Sequence, residues 1–139
     1  LESPIEMGNK ESQIEILGEL KRNLKGKNSE TLIVADEWCN NLDDISDFIE
    51  SNCVDMIQVK MPDLGSITES VKAVKECNEN GVKAYLGGSC NETDLNAKNA
   101  VHVAIAAGAE QILVRPGMGI DEGYSIMKNE ELRALSELC

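Results

Sequence analysis

A chain of 139 residues is the size of one ordinary domain and is long enough to enclose a core. Hydrophobic residues make up 42%, charged residues 27% and aromatics 3%, which argues against disorder and for a core of Ile, Val, Leu and Ala. Thirteen Lys and Arg against 25 Asp and Glu leave a net charge of −12, which nucleic-acid phosphate and anionic membrane surfaces would repel.

No apolar run approaches the roughly 20 residues of a membrane span, and no charged leader precedes an apolar stretch, so the expectation is a soluble, cytoplasmic protein. Cys39, Cys53, Cys77, Cys90 and Cys139 contain no Cys-x-x-Cys pair, so free thiols are expected and no zinc or iron–sulfur pattern is present. The opening Leu1-Glu2-Ser3-Pro4, without an initiating Met, reads as the interior of a longer polypeptide.

The chain begins with the stub of a strand at Leu1-Glu2. Ile14, Leu17, Leu20 and Leu24 then recur at helical spacing between Glu11 and Lys25. Thr31 to Asp36 is a short β-rich run, followed by a brief helix around Ile45, Phe48 and Ile49. Asp55 to Lys60 is a second run. From Ser66, a capping box (Ser66-Ile67-Thr68-Glu69) opens a helix with Ile67, Val71 and Val74 on one face and Gly81 as its stop. Val82 to Gly87 is a third run, and Asn91 to Gly108 an Ala-rich helix with Ala97, Ala100, Ala104 and Ala107 suited to close packing. Gln111 to Arg115 is a fourth run, before a last helix from Asp121 to Leu138.

The four runs start about 24 to 29 residues apart, the length of a strand plus a crossover helix. Such alternation implies a parallel sheet covered by helices. Two architectures fit: a doubly wound open sheet, or part of a (β/α) barrel, whose full form needs about 250 residues.

In both, function gathers at the carboxyl ends of the strands. Glu2 and Asp36 end adjacent strands, and converging carboxylates suit Mg²⁺, a hard cation that prefers oxygen; the alternative is two solvated or capping side chains. Lys60 ends a run expected to be buried on both faces. Partly desolvated and near a cation, it would lose its proton more easily, as a general base must; the alternative is a lysine reaching solvent. Gly117-Met118-Gly119 is a weak phosphate-loop signal.

Four segments carry a resemblance. Val34-Ala35-Asp36-Glu37-Trp38-Cys39-Asn40 resembles the metal-ligand strand of methylaspartate ammonia-lyases, in the enolase superfamily. Ile57-Gln58-Val59-Lys60-Met61-Pro62-Asp63-Leu64-Gly65 resembles their catalytic-lysine strand. Gly87-Gly88-Ser89-Cys90-Asn91-Glu92-Thr93 and the stretch Pro116 to Gly123 resemble two further segments, in order and with 24 residues from Asp36 to Lys60.

The resemblance implies a partial TIM-type barrel comprising about the last four to five βα units, with residues 1–139 forming the C-terminal part of a catalytic domain. It implies Mg²⁺ as cofactor, with Glu2 and Asp36 as two of three metal ligands, and Lys60 as the base that removes the C3 proton of (2S,3S)-3-methylaspartate. Gln58, Ser89, Cys90 and Leu113 are implied to contact the substrate. The implied reaction is reversible elimination to mesaconate and ammonia, with the fragment inactive alone. Ser89 replaces the family's Thr but keeps the hydroxyl, and Arg115 stands where Lys is common.

A third metal ligand and a histidine acid/base group are implied upstream of Glu2. His102, the only histidine, is expected to be a helix packing residue. Open strand edges would pair with the missing upstream part or with another copy. The competing readings are another enolase-superfamily acid/base reaction and a non-catalytic subunit or interaction module.

Overall fold

The computed structural model describes residues 1–89, 92–114 and 117–138. Within these residues the apolar runs become β1 (Val34–Ala35), β2 (Met56–Lys60), β3 (Lys83–Gly87) and β4 (Gln111–Ile112). The helices are α1 (Lys10–Gly26), α2 (Leu42–Glu50), α3 (Met61–Leu64), α4 (Ile67–Glu79), α5 (Asp94–Ala107) and α6 (Ile120–Leu138). α3 is a single turn not expected from the sequence, opened by Lys60 with Pro62 in its first turn and closed by Gly65 at φ 77°.

All three strand pairings are parallel, and the strands lie side by side in chain order, β1-β2-β3-β4. Glu2 adds one parallel bridge to Val34 at the outer edge. A doubly wound sheet reverses its order at a switch point, and this sheet does not. Ile33, Ala35, Ile57, Val59, Ala84 and Leu86 share one core with Leu17 of α1, Phe48 of α2, Val74 of α4 and Val103 of α5. Because side chains alternate along a strand, Gln58 and Lys60 point to the opposite face. Sequential parallel strands with helices on one face form a partial (β/α) barrel.

β1 and β4 are shorter than their apolar runs, each pairing through two residues. α4 turns differently from expectation. Ser66 caps it by accepting from the Glu69 amide at 3.1 Å, but the buried face is Ser70, Ala73, Val74 and Cys77, and Ile67 is exposed. Small residues at that face let α4 approach the sheet closely, which the larger Ile67 would prevent. The alanines of α5 are buried as expected. His102 is not a packing residue: it is exposed, with Nε2 2.6 Å from Glu130 Oε1 on α6. Among the described residues, no helix is long and apolar enough to cross a membrane.

Candidate active site

The carboxyl ends of β1 and β2 bring Asp36 and Lys60 together. The register pairs Val34 with Met56 and Ala35 with Ile57, so Asp36 falls beside Gln58 and β2 runs two residues further to Lys60, whose long side chain reaches the carboxylate. Lys60 Nζ lies 2.6 Å from Asp36 Oδ1 and 3.9 Å from Asp63, with the Lys60 and Asp36 side chains 18% and 20% exposed. Asp36 Oδ1 is buried and makes no hydrogen bond beyond this ion pair. Asp63, presented by α3, is a neighbour the sequence reading missed.

The easier deprotonation expected of Lys60 depends on a nearby cation; in the ion pair with Asp36 alone its pKa is raised. Burial is the largest single influence and pulls it down, but the hydrogen bond and charge of Asp36, helped by Asp63 and Glu37, outweigh burial and raise it. In this ion pair Lys60 is an ammonium.

Glu2 stands on the other side of β1. Its carboxylate accepts a hydrogen bond from Gln58 Nε2 at 2.5 Å, so β2 reaches across β1 to the stub. Burial, then the like charges of Asp36 and Glu37, raise the Glu2 pKa. The segment after Glu2 is fastened to the loop after β1. Ser3 Oγ donates to Glu37, and Trp38 Nε1 donates to the Met7 carbonyl at 3.2 Å. Trp38 has φ 64° and Ser3 φ 37°, left-handed conformations that non-glycine residues hold only when their surroundings impose them. Glu6, Glu37, Trp38, Asn40 and Lys60 line a hollow of about 250 Å³.

These residues fit a hard divalent cation. Two carboxylates face one another closely enough to repel, and one carries a buried oxygen with only an ion-pair partner. Mg²⁺ is commonly held by one or two carboxylates with water completing its shell. Among the described residues, no group of three or more His, Cys, Asp and Glu could hold an ion.

Of the remaining expected residues, Gln58, Ser89 and Leu113 collect at the same end. Gln58 is 4% exposed and sits on the Lys60 face of β2. Gly87, the partner of Lys60 in the register, leads into Ser89, whose amide donates to Glu92 Oε1 at 2.8 Å. Glu92 is buried, which no local pattern of residues signals. Leu113 follows β4, half-buried, its amide donating to the Leu86 carbonyl at 2.9 Å. Cys90 and Arg115 lie outside the described residues.

Residues 1–138 match the family described as methylaspartate ammonia-lyase C-terminus. Methylaspartate ammonia-lyase 1 of Carboxydothermus hydrogenoformans is 51% identical over 99% of this chain and 33% of its own length. The crystal structure of the Citrobacter amalonaticus enzyme containing (2S,3S)-3-methylaspartic acid superposes with TM-score 0.95 and 47% identity, over 99% of this chain and 33% of that one. The Clostridium tetanomorphum β-methylaspartase magnesium complex gives TM-score 0.92 and 40% identity, over 97% of this chain and 33% of that one. The chain thus spans about a third of the length of the relatives it matches.

Proposed function

The chain belongs to the methylaspartate ammonia-lyase family, and on that premise we propose that it is the C-terminal part of the catalytic barrel of a carbon–nitrogen lyase. The proposed reaction is the reversible elimination of ammonia from (2S,3S)-3-methylaspartate to give mesaconate. The upstream part of the protein completes the barrel, and the chain alone is inactive. The observation that carries this reading is the contact between a strand-end lysine and a strand-end carboxylate, Lys60 to Asp36 at 2.6 Å, beside Glu2.

The chemistry is demanding because a C3–H bond next to a carboxylate is barely acidic. Breaking it places a second negative charge on that carboxyl group. Glu2 and Asp36 would hold Mg²⁺ in part, and that ion would supply positive charge for the carboxyl group when bound, a division of labour general to enolase-type sites. Lys60 Nζ takes the C3 proton, the C2–C3 double bond forms, and the C2–N bond breaks to release ammonia. Lys60 must be unprotonated to act as the base, so the hold of Asp36 on its ammonium has to be relieved before the proton moves. Gln58 contacts the substrate, Ser89 with Cys90 holds one of its carboxylates, and Leu113 lines the apolar side of the pocket. Partial burial of the site limits water access.

Exchange of the C3 hydrogen tests the role of the base. The full-length protein in deuterated water should incorporate deuterium at C3 of 3-methylaspartate, and Lys60→Ala should stop this while the protein stays folded. Undiminished exchange in Lys60→Ala would remove Lys60 from the reaction. A racemase-type relative would exchange hydrogen without releasing ammonia.

A further inference from the structure

Gly87 ends β3 and is the register partner of Lys60. Its φ is not in the left-handed region, so its backbone does not require glycine. Space does. A Cβ at this position would run into Cγ, Cδ and Oε1 of Gln58, closer than real Cβ contacts come. The Gln58 side chain therefore lies directly over the Gly87 backbone on the barrel-mouth face. From there its amide Nε2 reaches Glu2 Oε1 at 2.5 Å, on the far side of β1. Gln58 is itself 4% exposed. Glycine within a strand commonly marks such a close approach.

Resting on the proposed metal role of Glu2, we propose that Gly87 is a positioning residue: its missing side chain lets Gln58 lie across β3 and hold the Glu2 carboxylate in its metal-binding orientation. Gln58 then has a task beyond any substrate contact. Its donated hydrogen bond fixes one Glu2 oxygen. Hydrogen-bonding partners of metal ligands commonly matter this way, and their loss weakens metal affinity by about 10–100-fold.

The test is a double-mutant cycle in the full-length protein, with Gly87→Ala, Gln58→Ala and the pair. Two readouts are taken: the melting temperature without metal, and the Mg²⁺ concentration giving half of the metal-induced thermal shift. Gly87→Ala alone should lower the metal-free melting temperature and weaken Mg²⁺ by about 10–100-fold. Adding Gln58→Ala should restore the melting temperature, because the clash is gone, and should weaken Mg²⁺ no further than Gln58→Ala alone. If Gly87→Ala binds Mg²⁺ as tightly as the parent, or if the two losses multiply, the proposal is overturned while the metal reading stands. If the parent shows no Mg²⁺-induced shift, the metal role of Glu2 fails and takes the proposal with it.

Discussion

Lys60 Nζ rests 2.6 Å from Asp36 Oδ1, so the proposed base and a proposed metal ligand are in direct contact across neighbouring strands. The pairing explains how a lysine expected to deprotonate easily is instead held as an ammonium. On the proposed function, a cation held by Asp36 would compete with the Lys60 charge for the same carboxylate.

Asp36→Asn should therefore remove most of the response to Mg²⁺ in the full-length protein. At a metal concentration 100 times its dissociation constant, the parent should gain about 2.7 kcal/mol of stability. Urea unfolding with and without Mg²⁺ measures the gain. An unchanged gain in Asp36→Asn would exclude that carboxylate as a ligand.

Phe48 is fully buried between α2 and the sheet, whereas Ile67 at the start of α4 is 54% exposed. Phe48→Ala should cost about 3–5 kcal/mol through lost contacts and a residual cavity. Ile67→Ala should stay within about 0.5 kcal/mol. Denaturant midpoints distinguish the two, and comparable losses would contradict the observed rotation of α4.

Glu130 gives a pH dependence. Arg133 first, then His102, hydrogen-bonds its carboxylate and lowers its pKa from the usual 4.5 to about 2. A carboxylate depressed in the folded state contributes stability above the unfolded value, and this is lost as pH falls through the folded one. The difference in urea midpoint between the parent and Glu130→Gln should be steady at neutral pH and shrink between about 4.5 and 2. A difference that persisted at pH 2 would show that the carboxylate charge is irrelevant.

Cys39, Cys53 and Cys77 are free and buried, and burial pushes the Cys77 thiol up to about 12. Since the thiolate is the reactive form, alkylation at pH 8 followed by peptide mapping should leave these three unmodified until denaturant is added. Rapid labelling of Cys77 in the native protein would contradict its burial.

Much of the fold was legible because it depends on local pattern. The spacing of the apolar runs marked the parallel α/β alternation, and Ser66 and Gly81 marked the ends of α4. Barrel and doubly wound sheet could not be separated by periodicity, since strand order is a long-range property. The same holds at the site. Asp36 and Lys60 were readable as strand-end residues, but their ion pair depends on the β1–β2 register. Asp63 arrives on a four-residue turn too short to show periodicity. The buried Glu92 and the crowding of Gly87 by Gln58 are packing facts with no local signature.

The most direct test follows mesaconate and ammonia released from (2S,3S)-3-methylaspartate and Mg²⁺ by the full-length protein, with Lys60 intact and as Lys60→Ala. The parent should release the two products in equal amounts, and the variant should lose about 10²–10⁴-fold in rate, the range for a missing general base. Equal rates in the two, or no product from a folded parent, would contradict the proposed reaction.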